Sequence, residues 1–264
     1  FKEDDFMKCI IDGNKACSKV AYLMSEVLSI YPITPSSPMA SEANNLIVKN
    51  KKNLYNETPL LMEMQSEAGA AGAMHGALIS GSLASTFTAS QGLLLMIPNM
   101  YKMAGEMLPG VIHVASRTVA THALSIFGDH SDIYATEKTG FCMLASNNVE
   151  EANHLAAVAH LSAIKGSLPF LHFFDGFRTS HEINVADLLS DEDILKLIDY
   201  DSLKKFKEST LNSDSKIQKG LAFNEDVYFQ TMEAKNLDYL KIPDIVNYYM
   251  EKIMGLDFKV SAFS

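Results

Sequence analysis

Apolar positions along the first 175 residues follow two alternating rhythms. Short runs have strand length: Leu28 to Ile33, "LLMEMQ" (Leu60 to Gln65), "LASTFTA" (Leu83 to Ala89), "GVIHVAS" (Gly110 to Ser116), "FCMLAS" (Phe141 to Ser146) and "LPFLHFFD" (Leu168 to Asp175). Between them, apolar or small residues recur at helical spacing. These segments are Gly13 to Val27, Ser36 to Lys49, Ser66 to Ser80, Leu93 to Leu108 around Pro98, and Val149 to Lys165. Strands alternating with helices at this spacing predict βαβ units, hence an α/β fold with a mostly parallel sheet and helices on both faces. Right-handed crossovers then bring the strand C-termini to one edge. Open α/β sheets keep their ligands there.

The rhythm breaks after Asn184. "DLLSDEDILKLIDYDSLKKFKESTLNSDSK" is charged and helical in pieces, and Pro243 is placed to open a last helix. The expected organisation is one α/β domain over residues 1–184. Residues 185–264 form an appendage that packs on it or on a neighbouring domain.

Composition adds exclusions. Of 264 residues, 47% are hydrophobic and 20% charged, which suits a globular chain with a substantial core. A net charge of −10 with no long Lys/Arg run argues against nucleic acid or an anionic membrane as partner. Ala68 to Tyr101 contains no Asp, Glu, Lys or Arg, yet Gly, Ser, Thr, Gln91, Pro98 and Asn99 interrupt it. It reads as sheet-and-helix core rather than a membrane span. Cys9, Cys17 and Cys142 show no C-x-x-C spacing, so neither a disulfide framework nor a cysteine-ligated metal site is expected. The chain starts at Phe1 and reads as a piece of a longer polypeptide. A reducing compartment is the default, the cytoplasm or an organelle whose targeting segment was removed.

The predicted strand ends collect Thr34, Ser36, Ser37, Glu67, Ser90, Gln91, Arg117, Asp175 and Arg178. Glu67 is the most informative. It opens an Ala/Gly helix in a charge-free region, where a buried carboxylate is costly without a specific partner. The plainer reading is a first-turn Glu favoured by the helix dipole. Arg117 closes "VIHVAS" and could grip a carboxylate with its planar fork, or simply be solvated at a loop start. Thr34 is either a turn former beside Pro35 or a hydroxyl offered to a ligand. His75, His154 and His160 fall in helices as packing or surface residues. His130 and His181 lie in loops and could line a polar site. No P-loop lysine motif, G-x-S-x-G or G-x-G-x-x-G occurs.

"YPITPSSPM" (Tyr31 to Met39), "MQSEAGAAGAMHGAL" (Met64 to Leu78), "TFTASQGLLLMIPNMYKMAGE" (Thr86 to Glu106), "SIFGDHSD" (Ser125 to Asp132) and "PFLHFFDGFRTSHE" (Pro169 to Glu182) resemble the amino-terminal domain of pyruvate:ferredoxin (flavodoxin) oxidoreductases. The likeness runs on through "PDIVNYYMEKI" and so spans nearly the whole chain. It implies the pyrimidine-side module of a thiamine-diphosphate enzyme. Such enzymes decarboxylate pyruvate oxidatively to acetyl-CoA and CO2 and pass electrons through [4Fe-4S] clusters. By the same resemblance, Glu67 would hydrogen-bond the aminopyrimidine ring nitrogen and promote loss of the thiazolium C2 proton. Arg117 would pair with the pyruvate carboxylate, with the Thr34 hydroxyl nearby.

"FDGF" lacks the first glycine and the Asn-rich follow-up of a diphosphate–Mg2+ motif, and no four-cysteine run occurs. The expected chain therefore holds half a thiamine-diphosphate site. Mg2+, clusters and coenzyme A would belong to other domains of the same polypeptide, and the fragment would be inert alone. The resemblance also implies a homodimer of the complete enzyme, with ferredoxin, flavodoxin or a fused NADP-reductase module as acceptor. A relative acting on 2-oxoglutarate or an arylpyruvate is the enzymatic alternative; a mainly structural docking fragment is the other.

Overall fold

The computed structural model describes residues 6–213 and 217–255. Strand β1 (Phe6–Ile11) leads into α1 (Gly13–Leu23), capped by the Asp12 carboxylate, which accepts from Lys15 N. Then follow β2 (Val27–Ile30), α2 (Ser37–Val48), β3 (Leu60–Glu63), α3 (Glu67–Ile79), β4 (Ala84–Thr88), α4 (Gln91–Gly105) and β5 (Val111–Ser116). A short helix α5 (Ser131–Thr136) precedes β6 (Cys142–Ser146), α6 (Val149–Gly166), β7 (Phe170–Asp175) and β8 (Asn184–Leu189). The C-terminal part is helical: α7 (Asp191–Lys196), α8 (Tyr200–Glu208), α9 (Glu225–Ala234), α10 (Asn236–Tyr239) and α11 (Ile242–Met254).

Among the described residues, six strands form one parallel sheet in the order β3-β2-β4-β5-β7-β6. The expected α/β architecture is the observed one. Strands β2, β4 and β5 are buried at every position, as strands covered on both faces must be. Helix α1 packs on both α2 and α6, and α3 packs on α4. The Ala/Gly run of α3 lets its backbone come close to the sheet, where the Ser29 hydroxyl donates to the Ala70 carbonyl at 2.8 Å.

Several boundaries shift from the periodicity reading. Helix α1 stops at Leu23 because Val27 pairs with both Leu60 and Ala84. Strand β2 ends at Ile30, since Pro32 has no N–H to offer a ladder. Two strands went unforeseen: β1 and β8 form a separate antiparallel pair, Phe6 opposite Leu189 through Ile11 opposite Asn184. The expected boundary at Asn184 therefore falls where β8 begins. Beyond it, Leu203, Phe206, Ile242, Val246, Tyr249 and Ile253 are buried in the same apolar cluster as the sheet.

Candidate functional site at the sheet's C-terminal edge

Three strand ends converge where β2, β5 and β7 finish. Arg117, 7% exposed, follows β5 directly. Its Nη1 donates to the Thr34 carbonyl at 2.7 Å and its Nη2 to Gln91 Oε1 at 3.0 Å, while its buried Nε has no partner. A guanidinium with two of its five N–H groups committed still has donors for an incoming acceptor. Thr34 is exposed, and its bond to Pro35 is cis. Asn14 Nδ2 holds the Pro35 carbonyl at 3.0 Å. A Cβ on Gly176 would sit 2.5 Å from the Ser116 carbonyl and 2.6 Å from Pro35 Cγ. Only glycine lets the β7 turn approach the other two.

The β4–α4 turn is held by Asp132, which is fully buried. Its Oδ2 accepts from Ser90 N at 2.8 Å and from Arg117 N at 3.1 Å. Its Oδ1 accepts from Ile133 N at 2.8 Å and lies 2.7 Å from Ser116 Oγ. Ser90 adopts φ 51°, a conformation costing a non-glycine residue about 1–3 kcal/mol, and Asp132 anchors it from the next loop. Burial pushes the Asp132 carboxyl above the ordinary carboxylate range, against its hydrogen bonds to Ser116 and the backbone. Ser116 has one hydroxyl proton and two acceptors, Asp132 and the Asp129 carbonyl, in reach; a proton on Asp132 would satisfy both.

Glu67 is 7% exposed at the first turn of α3, where Ser66 caps the helix by accepting from Gly69 N at 3.0 Å. Among the described residues, no group donates a hydrogen bond to its carboxylate. A Cβ on Gly92 would lie 2.8 Å from Glu67 Cγ and Oε1 and 2.5 Å from Thr88 Oγ1, a buried hydroxyl without a partner. The turn from Thr88 to Gly92 thus touches Glu67 with one end and, through Gln91, Arg117 with the other. Of the remaining strand-end candidates, Asp175 accepts from or pairs with His130 Nε2 at 3.0 Å. His181 stacks on Phe177 and meets Ser180 Oγ, and Arg178 is exposed.

Residues 19–251 match the family described as pyruvate flavodoxin/ferredoxin oxidoreductase, thiamine-diphosphate-binding. The chain belongs to that family. It is 56% identical over 249 residues to the pyruvate:ferredoxin oxidoreductase of Moorella thermoacetica, covering 94% of this chain and 21% of that protein. It is 54% identical to the pyruvate-flavodoxin oxidoreductase of Klebsiella pneumoniae, covering 93% and 21%. It is 49% identical to the pyruvate dehydrogenase [NADP(+)] of Cryptosporidium parvum, covering 94% and 13%. The chain therefore spans about a fifth or less of the length of these relatives. A 2-oxoglutarate:ferredoxin oxidoreductase from Magnetococcus marinus shares the fold, with a TM-score of 0.62 over 73% of this chain and 33% of that one at 20% identity.

For a member of the pyruvate flavodoxin/ferredoxin oxidoreductase family, the residues present fit the thiamine side of a site. A nearly buried carboxylate without a donor stands beside a glycine whose missing Cβ makes room for it. Sequence reasoning collected Gln91 but gave it no role, and it passed over Asp132; no spacing signals a carboxylate that acts through backbone N–H groups. It also passed over a second cluster. Cys17, His113 and His172 come together from α1, β5 and β7, all fully buried, although cysteine spacing alone gave no sign of it. Burial holds the Cys17 thiol well above its usual range and pushes His160 and His172 down to about 3.

Proposed function

We propose that this chain is the pyrimidine-side and substrate-binding domain of a pyruvate oxidoreductase that forms acetyl-CoA and CO2. One observation carries the reading: Glu67 is nearly buried, lacks a protein donor, and is linked through Thr88–Gly92 to an arginine with an unpartnered Nε. Thiamine diphosphate, when bound, supplies the electron sink for decarboxylation. Glu67 accepts a hydrogen bond from the pyrimidine side of that cofactor and holds a proton there. Arg117 offers its remaining N–H groups to the substrate carboxylate, and the Thr34 hydroxyl stands beside it. An arginine-held carboxylate selects a 2-oxoacid over a simple ketone, because the ketone would leave the buried guanidinium unsatisfied. Gln91 and the Thr34 carbonyl fix the guanidinium plane.

Other domains of the same polypeptide would hold the diphosphate with Mg2+, the [4Fe-4S] clusters and coenzyme A. Ferredoxin, flavodoxin or a fused NADP-reductase module would take the electrons, and the complete chain would act as a homodimer in the cytoplasm or an organelle. The exposed apolar side chains of Tyr228, Phe229, Leu237 and Leu240 on α9, α10 and the residue after them support docking to such domains. Among the described residues, no helix is long and apolar enough to cross a membrane.

The test is anaerobic reduction of a viologen dye by the complete polypeptide with coenzyme A and thiamine diphosphate. Pyruvate should be used in preference to 2-oxoglutarate and to an arylpyruvate. A preference for either of those would sink the substrate assignment and leave the family membership standing.

A further inference from the structure

His113 and His172 are register partners on neighbouring strands β5 and β7, so their side chains leave the sheet on one face. Helix α1 brings Cys17 over them, and α6 brings His160. Cys17 Sγ lies 3.1 Å from His113 Nδ1 and 3.7 Å from His172 Nδ1, and the two Nδ1 atoms are 3.0 Å apart. Atoms at these spacings lie on a circle of about 1.9 Å radius, slightly less than the usual bond lengths of about 2.0–2.1 Å for Zn–N and about 2.3 Å for Zn–S. An ion just off the plane of the three atoms would reach all of them at bonding distance. We propose that Cys17, His113 and His172 bind one thiophilic d10 ion, Zn2+ or Cu+, as a buried clamp joining α1, β5 and β7.

The surroundings orient the ligands as a metal centre requires. His172 Nε2 is 2.7 Å from Ser146 Oγ, which is itself 3.0 Å from the Glu151 carbonyl. The serine proton goes to that carbonyl, so the serine oxygen accepts the His172 Nε2–H and the Nδ1 lone pair faces the cluster. His113 Nε2 is 3.1 Å from His160 Nε2. With His160 accepting there, the His113 Nδ1 lone pair also faces the cluster. Both imidazoles then ligate in neutral form, and Cys17 ligates as thiolate, its proton leaving to solvent. Three protein donors suit three-coordinate Cu+, or Zn2+ completed by a water.

The rival arrangement is metal-free: His160 donates to His113, His113 to His172, and His172 to Ser146. Cys17 is then tied only weakly: its sulfur accepts a shared branch of the His113 Nδ1–H at 3.1 Å, and its own proton faces His172 Nδ1 3.7 Å away, which His113 already occupies. The ion uses all three groups at once. Full burial of the cluster means that loading accompanies folding, and the clamp ties together residues far apart in sequence.

The test is zinc and copper content per chain of the complete polypeptide, wild type beside Cys17→Ala, with X-ray absorption at the edge of whichever metal is found. The expected result is one more equivalent of zinc or copper in the wild type, with one sulfur near ~2.3 Å and two nitrogens that vanish in the variant; the edge tells which ion it is. Equal content in both proteins overturns the site. Should Cys17→Ala fail to fold, the wild-type spectrum decides alone: no zinc or copper bound by mixed sulfur and nitrogen, and the site is gone.

Discussion

The Arg117 guanidinium donates to the backbone carbonyl of Thr34 across 83 residues of sequence, at 2.7 Å. That bond ties the end of β5 to the turn after β2, and Gln91 adds the turn after β4. A lysine at position 117 has no planar fork and cannot keep both contacts while also meeting a carboxylate. Arg117→Lys should raise the KM for pyruvate at least ~10-fold, the loss of about 1.4 kcal/mol expected from a weakened charge-assisted hydrogen bond. Steady-state kinetics of the complete polypeptide check this; an unchanged KM removes Arg117 from the substrate.

Thr34→Ala separates the hydroxyl from the carbonyl. The carbonyl stays and still anchors Arg117, so the fold should be untouched. Weakened pyruvate use at unchanged thermal stability is the expected pair of results. Unchanged kinetics would show that the Thr34 hydroxyl faces no substrate.

Gly92→Ala probes the other end of the turn. Its new Cβ would press on Glu67 and on Thr88 Oγ1, both within 2.8 Å. Glu67 must swing aside. Turnover should fall by ~10²-fold, because a misplaced catalytic group costs roughly that much. Thiamine-dependent activity at the wild-type level would mean that the Glu67 position is not set by this contact.

Asp132 holds the two turns through backbone N–H groups, so its removal is a positioning test. Asp132→Ala strands the Ser90 and Arg117 N–H groups in a buried place, at about 1–3 kcal/mol each. Asp132→Asn offers a pH test. The native carboxyl has its pKa raised by burial, so its favourable contribution is complete below the unfolded value of 3.8 and is lost as pH rises through the folded one. Wild type should therefore lose stability relative to Asp132→Asn as pH rises from below 3.8 toward neutrality. Denaturant midpoints across that range check it. A gap that widens the other way would mean that hydrogen bonding to the ionised form outweighs burial.

The alternating rhythm of strand-length runs and helical segments made the six-stranded sheet and its helices legible, even though β4 carries Ser85, Thr86 and Thr88 among its five buried positions. The β1–β8 pair was not. Its members lie at opposite ends of the domain, and "FMKCII" carries no turn signal pointing to "NVADLL". Glu67 stood out because it opens an Ala/Gly helix at the head of a stretch without charges. Asp132 sits among other polar loop residues, and its role exists only through the backbone atoms it reaches. His113 and His172 each look like one polar interruption of a strand; only the register of β5 against β7 makes them neighbours.

The most direct measurement concerns Glu67. In the complete polypeptide loaded with thiamine diphosphate, hydrogen–deuterium exchange at the cofactor's C2 position reports how well its proton is released, before any substrate binds. Glu67→Gln should slow that exchange by ~10²–10⁴-fold, the range for one acid–base group, with cofactor still bound. Exchange at the wild-type rate in the Gln variant would contradict the central role assigned to Glu67.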